Sequence, residues 1–268
     1  EGHHAVVAEA MRYAALGGGK RLRPFLVFET AKLLGGDMEQ ALHVGCALEC
    51  LHVYSLVHDD LPCMDDDDLR RGQPTVHVKW DEATAVLAGD ALQTFAFGLL
   101  ASEPAHPDPE IRASLVASMA EAAGAYGMVL GQALDIAAET ANRSLTLDEI
   151  TALQAGKTGA LIRWSAEAGA VLAGEDPTAL GRYAAALGLA FQIADDILDV
   201  EGDEGKAGKR LGKDDDAGKA TFVSLLGLEA AKSRARALVA EAEAALDGYG
   251  ARAEILRETA RFVIERDL

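Results

Sequence analysis

The sequence predicts an all-α protein, and three observations support this class. Ala, Leu, Glu and Arg, which favour helices, are abundant, whereas aromatic residues make up only 5% of the chain. Runs of β-branched residues with alternating polarity are scarce, and apolar residues recur at helical spacing instead. Half of the 268 residues are hydrophobic and no linker or repeat interrupts them, so the chain has ample core for one large domain or two small ones.

Capping residues and prolines predict where the helices begin. The loop GGGKRLRP delivers Pro24 to the first turn of a helix, where its missing N–H costs nothing, and Pro109 opens another helix in the same way. Thr146, with Glu149 three residues later, is typical of a capping box. In chain order, the predicted helices are Ala5–Leu16, Pro24–Leu34, Met38–Leu61, Asp81–Leu100, Pro109–Gly124, Met128–Ala137, Leu147–Lys157, Thr158–Leu172, Ala179–Val200, Lys219–Leu226, Leu228–Leu246 and Ala253–Ile264.

The charge balance is strongly acidic but uneven. The formal net charge is −18 and the pI is about 4.7, which makes nucleic acid or an anionic membrane a poor partner. Basic residues nevertheless gather in three islands, Lys20–Arg23, Arg70–Arg71 and Lys206–Lys219. These islands are where we expect an anion to bind.

The cysteines and the apolar segments bear on whether the protein is cytoplasmic and whether it spans a membrane. Cys46, Cys50 and Cys63 are odd in number and lack paired spacing, which favours reduced thiols in a cytoplasmic protein. Cys46 and Cys50 lie one helical turn apart, which permits a metal pair, but two core thiols are the better interpretation. We expect neither a segment apolar for long enough to span a bilayer nor a basic-then-apolar leader. Because the chain lacks an initiator Met, we expect that an N-terminal piece is missing.

The segment HDDLPCMDDDDLRRG combines six aspartates with two arginines. On a helix, His52 and Asp59 share one stripe, whereas Asp65 would lie about 120° from Asp59 if the helix were unbroken. Pro62 should loosen the helix and can swing Asp65 back beside Asp59. Converging carboxylates need cations, and oxygen ligands favour Mg²⁺ or Ca²⁺. A solvated acidic loop is the alternative to a metal site, and this cluster alone does not decide between the two interpretations.

A second cluster lies in LGLAFQIADDILDV, which is apolar apart from Gln192, Asp195, Asp196 and Asp199. On a helix, Asp195 and Asp199 are one turn apart, with Gln192 on the same stripe and Asp196 beside it. An ordinary amphipathic surface helix with an acidic stripe is the alternative, which the narrow polar arc disfavours. Desolvating each carboxylate on a helix that packs on several sides would cost several kcal/mol without a charged partner. One metal ion could be the partner of all three.

Two facing clusters of oxygen ligands could hold more than one Mg²⁺ ion, and a bridging diphosphate would satisfy both the ions and the basic islands. This explains why Arg70 and Arg71 directly follow the first aspartates. A nucleotide phosphate loop is the competing interpretation of AGKTGA, but Thr151 stands where that pattern needs a glycine, and a helix precedes it.

Together these motifs resemble those of the short-chain trans-prenyl diphosphate synthases, closest to the bacterial farnesyl diphosphate synthase branch. In order, they are GGGKRLRP, LHVYSLVHDDLPCMDDDDLRRGQPT, LAGDALQ, GQALDI, GKTGALI, FQIADDILDV and GKRLGKDDDAGKAT. The resemblance runs from about Met11 to the final helix. It implies a single domain over residues 1–268 with the isoprenoid synthase type I fold, in which antiparallel helices surround a deep central cavity. It also implies a cytoplasmic homodimer.

The resemblance assigns ligands to individual residues. The implied ligands of about three Mg²⁺ ions, held with bound diphosphate, are Asp59, Asp60, Asp65, Asp195, Asp196 and Asp199. The residues implied to bind the allylic diphosphate are Arg70, Lys157, Thr158, Gln192, Lys209 and Lys219. The residues implied to bind isopentenyl diphosphate without metal are Lys20, Arg23, His52 and Arg71. A buried core histidine satisfied by Glu49 or a backbone carbonyl is the alternative for His52.

The implied reaction begins with ionisation of the allylic C–O bond, while Mg²⁺ and cationic side chains stabilise the departing diphosphate. The double bond of isopentenyl diphosphate then attacks the carbocation, and a proton is lost to the released diphosphate. In the family, oxygen dipoles that stabilise the cation come from Thr158, Gln192 and the carbonyl of Lys157. The residues implied to be catalytic are Asp59, Asp65, Lys157, Thr158, Gln192 and Asp195.

Product length is predicted from the residues below the first motif. Tyr54 stands five residues before Asp59, about 7.5 Å deeper along the helix, with Ser55 beside it. In related enzymes these positions help to set product length, and a large aromatic floor argues for stopping at C15. A core tyrosine without a gating role is the alternative.

The leading hypothesis is synthesis of farnesyl diphosphate from isopentenyl diphosphate and dimethylallyl or geranyl diphosphate. A geranylgeranyl diphosphate synthase making C20 is the nearest alternative. A class I terpene cyclase shares the fold and one aspartate motif but needs no isopentenyl diphosphate pocket. A non-catalytic partner subunit would show eroded aspartate motifs, and a simple Ca²⁺-binding protein would bind metal without diphosphate.

Overall fold

The computed structural model describes residues 3–139, 143–201 and 220–265, and this part of the chain is almost entirely helical. The predicted all-α class is confirmed. The helices are α1 (His3–Leu16), α2 (Leu22–Leu33), α3 (Met38–Asp59), α4 (Val76–Lys79), α5 (Glu82–Ala101), α6 (Pro109–Ala123), α7 (Met128–Glu139), α8 (Leu147–Gln154), α9 (Ala160–Leu172), α10 (Thr178–Glu201), α11 (Phe222–Leu226), α12 (Leu228–Ala245) and α13 (Glu254–Glu265). The remaining described elements are a hairpin of β1 (Leu69–Arg70) and β2 (Gln73–Pro74), 3₁₀ turns at Glu103–Ala105 and Asp247–Ala253, and a π-helical segment at Ala155–Gly159.

Side-chain caps fix several helix starts. Asp37, Asp81 and Asp108 each accept hydrogen bonds from backbone N–H groups in the first turn of the helix that follows. The predicted capping box of Thr146 and Glu149 forms at the start of α8. These local contacts explain why most predicted helix starts lie within a residue or two of the observed ones.

Two boundaries differ from the predictions for local reasons. α2 begins at Leu22, not at Pro24, because Arg21 adopts a left-handed conformation (φ 51°) before it. Pro24 is then the third helical residue, whose N–H would also lack an intrahelical partner, so the proline is still tolerated. α3 ends at Asp59 and not at Leu61, because the chain turns as it approaches the proline that follows.

The largest difference from the predictions is the π-helical segment Ala155–Gly159, where two separate helices were expected to meet. α7 crosses this segment with almost no space between the two backbones. A Cβ atom added to Gly131 would lie 2.0 Å from the backbone nitrogen of Lys157, and one added to Gly156 would lie 3.1 Å from the carbonyl oxygen of Gly127. Glycines are therefore required for this crossing.

Two hydrophobic clusters form the core, and α9 contributes to both. Leu161 and Trp164 pack in the first cluster, with residues of α3, α5 and α6. Ile162 and Ala166 pack in the second, with residues of α2, α10, α12 and α13. Opposite sides of one helix thus support the two halves of the bundle.

Two stretches are long and apolar enough to cross a membrane by length and composition, Glu82–Ala101 and Pro109–Ala138. The expectation that no segment meets this criterion was therefore wrong. The second stretch is broken near Gly124 into α6 and α7, of 15 and 12 residues, and each of these is shorter than a span requires. α5 packs against α3, and its apolar side chains Leu87 and Phe95 remain 54% and 51% exposed.

Candidate active site

The first aspartate cluster folds back over the end of α3. The backbone N–H of Asp65 donates to the carbonyl of Asp59 (2.8 Å), and that of Asp67 donates to the carbonyl of Asp60 (3.3 Å). This tight turn contains Pro62. The structure thus brings Asp65 back beside Asp59, as the proline predicted.

Asp59 occupies an environment that opposes its negative charge. Burial raises the pKa of Asp59 to about 6, the ammonium of Lys157 opposes this shift, and the carboxylate of Asp65 adds to it. A carboxylate held in this way is stabilised by any further cation that reaches it. The environment of Asp59 is therefore suited to a cation and not to a solvated loop.

Asp60, by contrast, pairs within the protein. It is 3% exposed, and its Oδ1 atom accepts from the Nε (2.6 Å) and a terminal nitrogen (2.5 Å) of Arg70 on β1. Arg71 follows in a left-handed conformation (φ 54°) and donates to the carbonyl of Gly18. The hairpin therefore sends Arg70 to the first aspartate cluster and Arg71 to the loop before α2.

The second aspartate cluster lies on α10. Asp196 is 5% exposed; its Oδ1 accepts from the side-chain amide of Gln192 (3.1 Å) and its Oδ2 from the backbone N–H of Phe222 (2.7 Å). Asp195 and Asp199 are half-buried on the same helix. Asp196 therefore ties α10 to the start of α11, a role that its position in the sequence did not suggest.

The π-helical segment links the two clusters. The ammonium of Lys157 bonds Asp135 of α7 at 2.5 Å and also acts on Asp59. The hydroxyl of the next residue, Thr158, donates to the side-chain oxygen of Gln192 at 3.4 Å. Consecutive side chains thus reach the first cluster on one side and the second cluster on the other.

A basic pocket adjoins the first cluster. A guanidinium nitrogen of Arg23 lies 3.2 Å from Nε2 of His52, and the Nε atom of Arg23 is buried without a hydrogen-bond partner among the described residues. Burial lowers the pKa of Arg23 to about 10, although Glu49 opposes the shift. Glu49 itself pairs with Arg21. The pocket therefore holds a desolvated positive charge that its own acid does not fully compensate.

His52 is half-buried in this pocket, and its pKa lies well below the usual value because of desolvation and the nearby charges of Arg23, Arg71, Arg70 and Arg21, in that order. It is therefore neutral at physiological pH. The alternative in which Glu49 satisfies His52 does not hold, since the contact of His52 is Arg23. Lys20 lies further out, with its ammonium 6.0 Å from the ring of Phe191.

Seven of the predicted site residues line one cavity of about 360 Å³. They come from α2, α3 and the π-helical segment: Arg23, His52, Tyr54, Ser55, Asp59, Lys157 and Thr158. Arg70 and Arg71 line a smaller neighbouring cavity of about 40 Å³ together with Asp60. Lys209 and Lys219, predicted to bind the allylic diphosphate, lie outside the described residues.

Two residues of α7 belong to this site but were not predicted. Gln132 lines the 360 Å³ cavity, and neither atom of its amide group has a hydrogen-bond partner among the described residues. Asp135, three residues later, is the partner of Lys157. Both stand in GQALDI, and their shared helical face is a signal that could have identified them.

The chemistry of the carboxylates suits Mg²⁺, since the aspartates of the two clusters offer only oxygen atoms as ligands. In the part of the chain that the structure describes, no three acidic, histidine or cysteine side chains converge closely enough to form a metal centre by themselves. The two clusters are instead separate walls joined by the π-helical segment. Such walls fit ions that a bound diphosphate would help to hold.

Comparison with known proteins identifies the family of this chain. The model of the "Polyprenyl synthetase" family matches residues 4–249. Farnesyl diphosphate synthase of Escherichia coli is 47% identical, over 97% of this chain and 89% of that protein. Chloroplastic geranylgeranyl pyrophosphate synthase of Capsicum annuum is 44% identical, over 98% of this chain and 72% of that protein.

Solved structures agree as well. An FPP/GFPP synthase from Zymomonas mobilis, in its apo form, superposes with a TM-score of 0.89 at 53% identity, covering 96% of this chain and 88% of that one. A geranyltransferase from Helicobacter pylori, complexed with magnesium and isoprenyl diphosphate, gives 0.86 at 39% identity, covering 98% and 88%.

The chain therefore belongs to the polyprenyl synthetase family, and the predicted resemblance and isoprenoid synthase fold are confirmed. Within that family it is a prenyltransferase of the farnesyl diphosphate synthase type, as the aspartate motifs predicted.

Proposed function

We propose that this protein condenses isopentenyl diphosphate with dimethylallyl or geranyl diphosphate and ends at farnesyl diphosphate (C15), in a reaction that depends on Mg²⁺. One observation carries the proposal. A single cavity of about 360 Å³ joins the basic pocket of Arg23 and His52 to Asp59 and the Lys157–Thr158 pair, beside an apolar wall. A reaction that joins an anionic nucleophile to an anionic electrophile needs this combination.

The two diphosphates would occupy different parts of the site. Isopentenyl diphosphate would take the basic pocket of Lys20, Arg23, His52 and Arg71, where the Nε of Arg23 offers an unused donor. The allylic diphosphate would lie near the aspartates, with Arg70, Lys157, Thr158, Gln192, Lys209 and Lys219. About three Mg²⁺ ions would neutralise its charge as it departs. Asp59, Asp65, Asp195 and Asp199 would be direct ligands, and Asp60 and Asp196, whose oxygens accept bonds from Arg70 and Phe222, would support them.

The residues of the chain would stabilise the allylic cation once the C–O bond breaks. The hydroxyl of Thr158, the amide oxygen of Gln192 and the carbonyl of Lys157 provide oxygen dipoles at one wall. The apolar side chains of Met64, Met128 and Val129 line the cavity and would exclude water. The double bond of isopentenyl diphosphate forms the new C–C bond, and the proton lost passes to the released diphosphate.

The test of this function is to incubate the protein with Mg²⁺, radiolabelled isopentenyl diphosphate and dimethylallyl, geranyl or farnesyl diphosphate in turn, and to size the dephosphorylated products. We expect a C15 product from the two shorter starters and no product with EDTA. A C20 product would support the proposed condensation reaction but contradict farnesyl diphosphate as its end product. No incorporation by folded protein would overturn the proposal.

Tyr54 is proposed as the floor that stops the chain at C15, with the smaller Ser55 beside it. Tyr54 is 6% exposed, lines the cavity and lies about 7.5 Å below Asp59 along α3. We expect Tyr54→Ala to make mainly C20 product, measured by chromatography. The matched control is Tyr249→Ala, which removes a half-buried tyrosine that does not line this cavity. Unchanged C15 product from Tyr54→Ala would show that the floor lies elsewhere.

A cytoplasmic homodimer completes the proposal. The cysteines Cys46, Cys50 and Cys63 are free thiols, which suits a reducing compartment. α5 leaves Leu87 and Phe95 exposed, an apolar surface of the kind that dimers bury.

We expect light scattering to give about twice the mass of one chain, and Leu87→Glu to shift the protein towards monomer because burying a carboxylate in an apolar interface is costly. Phe262→Glu is the control, since Phe262 is also exposed (63%, against 54% for Leu87) but lies on α13. A wild-type monomer would contradict the dimer. Dissociation by both variants would argue against α5 as the contact.

A further inference from the structure

The hairpin of β1 and β2 presents two arginines but has little structure of its own. Each strand has two residues, and a hairpin this short is not stable alone. Its turn consists of Arg71 and Gly72, which both adopt left-handed conformations (φ 54° and 74°). This conformation is unfavourable for an arginine, so contacts with the rest of the protein must hold it. The position of Arg71 therefore depends on what the hairpin packs against.

Tyr13 of α1 secures one end of this hairpin. Its hydroxyl donates to the backbone carbonyl of Pro74 on β2 at 2.8 Å. Pro74 pairs with Leu69, so this hydrogen bond lies at the open end of the hairpin, whereas Arg71 lies at the turn. Tyr13 also lines the cavity of about 40 Å³ that both arginines of the hairpin line. α1 is therefore in direct contact with the hairpin that carries Arg70 and Arg71.

The short helix α4 holds the ring of Tyr13 in place. The ammonium of Lys79, at the end of α4, lies 3.6 Å from the centroid of that ring. Trp80 meets the same ring edge to face, with centroids 5.3 Å apart and planes at 78°. A cation above a ring and an aromatic neighbour at right angles to it favour one orientation. Since α4 follows β2 along the chain, Tyr13 contacts this segment through both its hydroxyl and its ring.

The loop after α1 reaches the other end of the hairpin. The carbonyl of Gly18 accepts a hydrogen bond from the guanidinium of Arg71. A Cβ atom added to Gly19 (φ 116°) would lie 2.5 Å from the central carbon of that guanidinium, so the backbone lies directly against it. From this position the charge of Arg71 lowers the pKa of His52. α1 and its loop thus hold the hairpin at both ends, with Arg71 beside the basic pocket.

We propose that Tyr13 is a positioning residue for isopentenyl diphosphate, which holds the hairpin against α1 and so keeps Arg71 beside the basic pocket. This inference rests on the proposed role of Arg71 in binding that substrate. Tyr13 is not among the residues that line the 360 Å³ cavity, so it acts through the hairpin.

Arg70 has an anchor that does not involve Tyr13. Its Nε atom donates to the buried carboxylate of Asp60 at 2.6 Å. Loss of the Tyr13 hydroxyl should therefore displace Arg71 more than Arg70. The two substrates should respond differently, since Arg71 is proposed to bind isopentenyl diphosphate and Arg70 the allylic diphosphate.

The test is Tyr13→Phe, which removes the hydroxyl and keeps the ring. We expect the KM for isopentenyl diphosphate to rise about fivefold, the factor that one net hydrogen bond corresponds to. The KM for geranyl diphosphate and kcat should change little. Tyr249→Phe is the matched control, because Tyr249 is also half-buried but packs against the second hydrophobic cluster. It should keep all three parameters of the wild type.

Arg71→Met provides the second measurement. We expect it to raise the KM for isopentenyl diphosphate further than Tyr13→Phe, and the double variant to go little beyond Arg71→Met, because Tyr13 acts through Arg71. If Arg71→Met raises this KM but Tyr13→Phe matches the wild type, Arg71 keeps its proposed role and that of Tyr13 is overturned. Additive effects of the two changes, or an equal rise in both KM values for Tyr13→Phe, would also overturn it. If Arg71→Met itself has the wild-type KM, the proposed role of Arg71 fails together with that of Tyr13.

Discussion

Replacing Asp59 with Asn is expected to lower the rate of condensation by at least about a thousandfold while leaving the helical fold intact. The carboxylate lies where the first aspartate cluster, Lys157 and the cavity meet, and it is the charged ligand through which we propose that Mg²⁺ acts. Steady-state kinetics and circular dichroism check the two parts of this expectation. Loss of the helical signal would assign Asp59 a structural role instead.

The same substitution should make the metal-free protein more stable. Burial raises the pKa of folded Asp59 to about 6, against about 3.9 in an unfolded chain, so the folded state binds this proton more tightly. In the wild type, the stability that this bound proton provides at low pH is lost as the pH rises through 6, because Asp59 becomes charged. Asn cannot ionise, so the variant does not lose that stability. We expect a gain of about 1–3 kcal/mol at pH 8 in EDTA by urea denaturation, and a smaller gain at pH 5.

The control for both measurements is Asp66→Asn in the same acidic run. Asp66 is exposed and adopts a left-handed conformation (φ 50°) that Asn tolerates well. It should keep both the rate and the stability of the wild type. A similar loss of rate in Asp66→Asn would mean that the net charge of the run matters, and not the position of Asp59.

Replacing Arg23 with Met is expected to raise the KM for isopentenyl diphosphate about a hundredfold and to leave the KM for geranyl diphosphate nearly unchanged. The guanidinium is buried beside the neutral His52, carries an unused donor and has a pKa lowered to about 10 by burial. Burying this charge without a full counter-charge destabilises the free protein, and an anionic ligand relieves that destabilisation when it binds. Truncating one partner of a buried charge pair weakens binding by about 2–5 kcal/mol. Initial rates with each substrate varied in turn measure the effect.

Arg21→Met is the matched control because it removes a neighbouring guanidinium of a different kind. Arg21 pairs with Glu49 and donates to the carbonyl of Ala15 (2.7 Å), so its loss leaves a carboxylate unpaired within the protein. We expect a lower melting temperature and a smaller change in KM than for Arg23→Met. Equal effects of both substitutions on the KM would mean that the pocket responds only to its total charge.

Local signals predicted much of the fold and part of the site. Asp37, Asp108 and Thr146 cap helices through contacts within three residues, which a sequence displays directly. Pro62 predicted the return of Asp65 in the same way, since a break in a helix is a local event. Where the chemistry depended on neighbours along the chain, the sequence was sufficient.

Contacts between distant elements could not be predicted in this way. The N–H that binds Asp196 comes from Phe222, 26 residues away, and the acid that binds Lys157 is Asp135, 22 residues before it. A helical wheel gives the direction of a side chain but not what it meets, so the pairings of these residues required the packed structure.

The π-helical segment Ala155–Gly159 has a consequence for how the chain can vary in length. It adds one residue to a turn, and α9 continues directly from it. Removing that residue would restore a regular helix and rotate α9 by about 100° relative to α8. Leu161 would then leave the first hydrophobic cluster and Ile162 the second. The irregular turn thus sets the rotational phase of α9, so that a one-residue insertion or deletion here would disturb both halves of the core along with Lys157 and Thr158.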